Sequence, residues 1–289
     1  MKGCFLGLGL WLVVPMSAAV TVTAWRPLFQ GVEWARGEAD KAEPRVQRVV
    51  AVRVDLRTEG IEFFSTPSNG KRPLETTSET TSEFLVRNGL QVAINANFFS
   101  PCCTPGDKDL TGLAISRGEI VSPQEARHYG SGVLLITRDN RATITVMNNT
   151  PIVTNGVWTA ISGSGVVLIA GEKPVDPTKE FTMLSDPRSA VGLSKDARYL
   201  ILMTIDGRQS GYSEGATLAE VADWLARFGA HDGVNLDGGG STTLVAASEG
   251  RAVRLNRPSG SGWSSQPQRE RSNGSNFGVR ATPLSVTVK

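Results

Sequence analysis

The run Asn235-Leu236-Asp237-Gly238-Gly239-Gly240-Ser241-Thr242-Thr243 concentrates more chemistry than any other stretch of this chain. A short apolar strand delivers a carboxylate, Asp237, to its end. Gly238, Gly239 and Gly240 allow backbone angles that side chains forbid. Their N–H groups can converge as a nest for an anion. Ser241 and Thr242 add hydroxyl donors. No lysine follows the glycines, so the run is a poor nucleotide P-loop. Taken by itself it also suits a tight hairpin whose glycines serve turn geometry only. Leu202–Arg208 repeats the device: apolar strand, Asp206, then Gly207 and Arg208. Asp206 and Asp237 are therefore expected at one rim of a sheet, where paired carboxylates can act as acid, base or nucleophile on a glycosidic bond. A plain Asp-Gly turn is the bland alternative. The polar loop after Arg208, with Glu214, is placed to touch a ligand.

Two further stretches add binding groups. Asn95 and Asn97 follow a strand and precede Phe98 and Phe99. Amides can bind sugar hydroxyls or hold a carboxylate, and aromatic rings offer a stacking face. Equally, the rings can be core and the amides turn caps. Arg188, in Asp186-Pro187-Arg188-Ser189, is the best single guanidinium fork for a phosphate or carboxylate. Cys102 and Cys103 are adjacent. Their Cα atoms must lie about 3.8 Å apart, so a vicinal disulfide here is expected as a strained loop clamp.

The elements that must position these groups are mostly strands. Val50, Val52, Val54 and Leu56 alternate with Arg53 and Asp55, which predicts a half-buried strand. Gly60 is expected to turn the chain into Ile61–Phe64 as its hairpin partner. Thr80 and Glu83 form a capping box before Phe84-Leu85-Val86, and Gly89 stops that helix. Strands are expected at Gln91–Asn95, Leu113–Ser116, Val133–Thr137, Ala142–Val146, Val157–Ile161 and Val166–Ile169. Ala190–Leu193 and Tyr199–Ile205 read as a hairpin. Leu218, Val221, Ala222, Leu225 and Phe228 share one helical face, with Thr217 as N-cap, Glu220 completing the box and Gly229 as stop. Val234–Leu236 is a buried strand, 257–275 a mobile polar loop, and Ser275–Val279 a closing strand. The expected fold is α+β, one domain over 45–289 with a mixed, largely antiparallel sheet and few helices. Residues 25–44 read as an irregular lead-in.

Composition narrows the chemistry further. The 289 residues carry 30 Lys+Arg against 28 Asp+Glu, a net +2, with no basic stripe; nucleic acid is not an expected partner. Two histidines (His128, His231) and three cysteines exclude a His-rich zinc site and a disulfide scaffold. His231 reads as structural. Lys2, an apolar run from Cys4 to about Val14 and small residues at Ser17, Ala18, Ala19 and Ala24 form a secretory signal peptide over 1–24. The same stretch is long enough to be a retained anchor. An exported protein is expected, meeting a membrane only if that segment stays.

The combination resembles the phosphodiester glycosidase family, over about Arg45 to Val279. Asn235–Thr243 with the Thr217–Glu220 helix start is the most specific part. Ile205-Asp206-Gly207-Arg208 and Pro187-Arg188-Ser189-Ala190-Val191-Gly192 match the family's central motifs. Asn95–Phe99 is similar to an Asn-Gly-Gly-Phe-Phe-like motif, with Ala96 and Asn97 in place of the glycines. Arg271-Ser272-Asn273 and Phe277-Gly278-Val279 are similar to its closing Arg-x-x-x-Asn strand. The resemblance implies hydrolysis of a sugar-1-phosphodiester at the anomeric C–O bond, giving free sugar and a phosphomonoester. Gly238, Gly239, Gly240, Ser241, Thr242 and Arg188 would hold the phosphate; Asn95, Asn97, Arg208, Glu214 and Asn235 would complete the binding site. Asp237 and Asp206 would be the catalytic carboxylates. No cofactor is required. The ligand is a sugar phosphate or an envelope glycopolymer. A non-catalytic polymer-binding module, and a phosphodiesterase in which both aspartates hold a divalent cation, are the competing readings.

Overall fold

The computed structural model describes residues 20–40, 45–124, 131–147, 150–174, 183–260 and 269–284. Residues 1–19 of the expected 1–24 signal or anchor segment, His128 and 261–268 of the polar loop lie outside them, while residues 20–24 are described and begin with the strand Val20–Val22. The largest sheet runs β1 (Val20–Val22), β3 (Val32–Ala39), β4 (Gln47–Asp55), β17 (Tyr199–Ile205), β16 (Arg188–Leu193), β18 (Asp232–Asn235) and β15 (Gly165–Leu168), with β2 (Arg26–Phe29) beside β3. A second runs β11 (Glu119–Ser122), β10 (Ala114–Ser116), β14 (Val157–Gly163), β12 (Gly132–Thr137) and β13 (Ala142–Val146). The third runs β20 (Arg251–Arg254), β19 (Leu244–Ser248), β7 (Val92–Asn95), β21 (Asn276–Arg280) and β5 (Glu62–Ser65). A small ribbon holds β6 (Thr76–Thr77), β9 (Asp107–Leu110) and β8 (Phe99–Ser100). Neighbouring strands pair antiparallel throughout the described residues. The expected largely antiparallel architecture with few helices is present, divided among several sheets.

Alternation within the strands explains the layers. On β4, Val50, Val52 and Val54 face one core with Val191 and Leu193 of β16, Leu200 and Leu202 of β17, Ile94 of β7 and Phe277 of β21. Val49 and Ala51 face the other way, with Ala190, Ile201, Met203 and Ile205. That second face is covered by α2 (Leu218–Arg227), through Leu218, Val221, Ala222, Trp224 and Leu225. Each large side chain so buried stabilises the fold by about 1.5–3 kcal/mol. The N-terminus of α2 carries the expected capping box of Thr217 and Glu220. Helix α1 (Thr81–Asn88) carries the Thr80–Glu83 box and ends at Gly89 in the left-handed region, and it packs Phe84 and Leu85 on the third sheet.

Three expectations change. The 25–44 lead-in is not irregular over its described part: β2 and β3 form there, and β3 pairs along the whole of β4. The strand at 50–56 is buried on both faces over its first half because α2 covers the face assumed to be wet. Finally, β5 pairs with β21, more than two hundred residues later in sequence, rather than with β4.

The register around β16 brings the two aspartates to one edge. Both β17 and β18 run antiparallel to β16, which lies between them (Arg188 opposite Ile205, Ala190 opposite Asn235). They are therefore parallel to each other and end at the same sheet edge, where Asp206 and Asp237 emerge.

Candidate active site

Asp237 leaves β18 under tight control. Its N–H donates to the Ala96 carbonyl (3.0 Å), and its carbonyl accepts from Asn95 Nδ2 (2.7 Å). Asn95 Oδ1 accepts in turn from Ser189 Oγ (2.6 Å) and from the Thr243 N–H (3.1 Å). One fully buried amide thus ties β7, β16 and both ends of the glycine turn. The Asp237 side chain is about one-eighth exposed. Its Oδ2 accepts from Ser241 Oγ and lies 3.4 Å from Arg271 Nη2, and the Gly238 N–H also bonds the carboxylate. Arg271 Nη2 donates to Ser241 Oγ as well. Burial raises the Asp237 carboxyl above the usual carboxylate range; the charge of Arg271 and the hydrogen bonds of Ser241 and Gly238 oppose that rise.

The glycines serve close approach. A Cβ on Gly238 would sit 2.6 Å from the Pro187 carbonyl oxygen, and one on Gly240 2.3 Å from that of Gly260. Gly239 adopts φ +60°, which favours glycine. The N–H groups of Gly239, Ser241 and Thr242 donate to the carbonyls of Pro187, Gly238 and Gly239, and that of Gly238 serves Asp237. The expected anion nest is thus largely engaged within the chain. Two guanidinium groups flank the turn instead. A Cβ at Gly239 would lie 3.1 Å from Arg208 Nη2, and one at Gly240 3.3 Å from Arg271 Nη1. Arg208 is steadied by Asp186, which accepts from its Nε at 2.9 Å. Arg271 lies over the Phe99 ring (5.7 Å to its centroid) and reaches Cys103 Sγ (3.3 Å). Cys102 and Cys103 are joined in the expected disulfide.

Asp206 reaches the same edge and meets a different environment. Its Oδ1 accepts from Asn256 Nδ2 (2.9 Å) and the Arg257 N–H (3.0 Å), and its Oδ2 from Tyr212 Oη (3.1 Å) and that same N–H (3.1 Å). Only 2% of the residue is exposed. Burial lifts its pKa to about 6 against those donors. Burial and the neighbouring Asp206 push Tyr212 up to about 12. With β16 between them, the two strand ends are about 10 Å apart. The pair shares a rim, and the two carboxyl groups keep separate partners.

The remaining expected binding residues divide cleanly. Arg188 is buried and donates to the carbonyls of Ala216 (2.9 Å) and Leu184 (2.6 Å), tying the segment before α2 to the segment before β16. Asn97 holds the Thr111 and Leu113 carbonyls and accepts from Ser275 Oγ. Asn235 donates to Ser164 Oγ and the Leu236 carbonyl. Asn97 is a staple through both ends of its amide, whereas Asn235 is held through Nδ2 and its buried Oδ1 has no partner among the described residues. Thr242 is buried, and its Oγ1 has no partner among the described residues. Glu214 is exposed, held by its backbone to Val46 and Ser185. In the sequence Arg271 is visible only as part of a closing motif and Tyr212 only within the ligand-facing polar loop after Arg208, while Asn256 and Arg257 carry no signal. Among the described residues, no group of three or more His, Cys, Asp or Glu could hold a metal ion.

A sequence profile described as phosphodiester glycosidase matches residues 88–280. No curated protein sequence matches the chain. Solved structures similar to it include the zebrafish N-acetylglucosamine-1-phosphodiester alpha-N-acetylglucosaminidase catalytic domain auto-inhibited by its pro-peptide, at TM-score 0.64 and 18% identity over 90% of this chain and 88% of that one. A hypothetical protein from Synechocystis has TM-score 0.58 and 15% identity, covering 91% of this chain and 64% of that one. A Burkholderia pseudomallei protein described as exported has TM-score 0.61 and 14% identity, covering 85% and 76%. At these identities the likeness is one of fold.

Proposed function

Because the chain belongs to the phosphodiester glycosidase family, we propose that it is an exported hydrolase of sugar-1-phosphodiesters, cleaving the anomeric C–O bond. The observation that carries this reading is the glycine turn flanked by Arg208 and Arg271, with the buried Asp237 at its start. Two guanidinium groups suit a phosphate diester, and planar forks bind its oxygens in defined directions. In this reading water attacks the anomeric carbon as the bond to the phosphate oxygen breaks. Asp237 takes the proton from that water, and the phosphomonoester leaves with the bonding electrons and the bridging oxygen. Its charge is held by Arg271 and Arg208. A proton affinity raised by burial suits Asp237 to a base. Ser241 holds the carboxylate and Arg271 in one geometry. Asp206 is assigned a positioning role: through Asn256 Nδ2 it shares a donor with the Thr242 carbonyl, the far end of the glycine turn.

The test is turnover of a panel of sugar-1-phosphodiesters in ¹⁸O-labelled water. Label in the released sugar supports C–O cleavage. Label in the phosphate overturns it in favour of phosphodiesterase chemistry, and saturable binding without product favours a polymer-binding module. Export rests on the N-terminal apolar run and small residues. N-terminal sequencing of the mature protein after expression in a bacterial host would test cleavage near Ala19 or Ala24.

A further inference from the structure

The Cys102–Cys103 disulfide plays no part in the proposed hydrolysis, yet it touches the guanidinium on which phosphate binding depends. It lies just beyond β8, on the exposed connection between β8 and β9. Cys103 Sγ accepts from Arg271 Nη1 at 3.3 Å, on the guanidinium whose Nη2 serves Ser241 and Asp237. Phe99 of β8 lies against the same guanidinium.

Two physical points give that contact meaning. A disulfide stabilises a fold chiefly by closing a loop, and more for longer loops. This one joins adjacent residues and closes a ring around its own peptide bond, so it contributes little to global stability. Its effect is local, on the sulfur that faces Arg271. Second, the disulfide sulfur is neutral and a weak acceptor, so it leaves the guanidinium's charge available. A thiol in its place would lie beside a fixed cation, which favours the thiolate. That thiolate is an anion of the chain's own, within reach of Arg271.

The geometry points to Cys102–Cys103 as a reversible modification site that gates the Arg271 anion subsite: open as the disulfide, occupied by the Cys103 thiolate once reduced. The inference rests on the reading of Arg271 as a phosphate-holding residue. The step needs a dithiol reductant. The S–S bond takes up two electrons and, before ionisation, two protons. Cys102 and Cys103 become thiols, and the reductant closes to its own cyclic disulfide. Cys103 then gives its proton to water or buffer.

Inorganic phosphate is the probe, titrated calorimetrically into the oxidised protein and into protein reduced with a small dithiol under argon and then desalted. Counting thiols by alkylation certifies each state. The expected result is phosphate binding about tenfold weaker after reduction, the scale of one charge-assisted hydrogen bond. Reoxidation should restore it, with the melting temperature unchanged within about 2 °C. In a Cys102→Ser/Cys103→Ser variant the dithiol should have no effect on the phosphate affinity, whatever that affinity is. Equal affinity in both redox states of the native protein overturns the proposal. So does a dithiol effect that persists in the double variant. Phosphate affinity is read without substrate, so failure to turn over any sugar-1-phosphodiester would count against the hydrolase reading and leave the gate standing on its own result.

Discussion

The chain ends the two strands that flank β16 in the same way, apolar residues then Asp-Gly, and the two aspartates have different surroundings. Asp206 is wrapped by Asn256, Arg257 and Tyr212, with hydrogen-bond donors at both oxygens. Asp237 meets Ser241, the Gly238 N–H and a guanidinium, and its side chain stays about one-eighth exposed. Burial raises the proton affinity of both. The difference lies in what the neighbours leave available. A carboxylate ringed by fixed donors is suited to hold structure; in the proposed reading one partnered by a hydroxyl and a guanidinium, and still partly accessible, exchanges a proton with the ligand. A shared apolar-Asp-Gly pattern therefore sets the position of a carboxylate and leaves its surroundings to residues far away in the chain.

The contrast can be broken most directly at Asp237. Asp237→Asn keeps the shape and removes the base, so kcat on a sugar-1-phosphodiester should fall by about 10³–10⁴-fold with little change in melting temperature. A fall under tenfold would remove Asp237 from the chemistry. Arg271→Ala should lower kcat/KM by about 10²–10³-fold. It also strips the cation that opposes the rise in Asp237's pKa, so the basic carboxylate would form at higher pH and the acid limb of the pH–rate profile should move upward. An unmoved acid limb would separate Arg271 from Asp237.

Asp206 should answer in stability. Asp206→Ala removes the acceptor of the Arg257 N–H and of Tyr212 Oη, leaves Asn256 Nδ2 only the Thr242 carbonyl, and should cost about 3–5 kcal/mol in chemical denaturation. Its pH signature has a definite sign. A carboxyl whose folded pKa is about 6, against 3.8 for its ordinary value, favours the folded chain when protonated. That contribution is complete below pH 3.8 and is lost as pH rises through about 6. Over this window the Asp206 contribution should decline by up to about 3 kcal/mol. Asp206→Asn should flatten that part of the profile, and Asp237, raised in the same direction, supplies the remainder. A profile unchanged by Asp206→Asn would mean that its burial is relieved in solution. The smallest effect belongs to Thr217→Ala: loss of the α2 cap should cost about 1 kcal/mol and leave turnover unchanged.

Local rules were legible in the sequence because their causes are local. Both capping boxes, the β16–β17 hairpin and the end of β18 at Asp237 arise from residues a few positions apart. Long-range outcomes were not legible. Whether the outer face of β4 was wet depended on α2, and the partner of β5 was β21. At the site, the aspartates and the glycine turn were readable, and Arg208 emerged where its motif placed it. Arg188 and Arg271 are both arginines in polar surroundings, and only tertiary packing turns one toward the Ala216 and Leu184 carbonyls and the other toward Asp237. Of the two uses the glycine run suggests, backbone freedom appears at Gly239, and at Gly238 and Gly240 the missing side chain admits the Pro187 and Gly260 carbonyls.

The amide of Asn95 has a mechanical consequence. It belongs to the third sheet, and its side chain grips Ser189 of the first sheet, the Asp237 carbonyl and the Thr243 N–H together. Any sliding of one sheet over the other must stretch these bonds, so the two layers are gauged against each other at the backbone that carries the Asp237 carboxylate. Substitutions that shift the layers anywhere along their interface would be felt at Asp237 as misalignment, well before they are felt as unfolding.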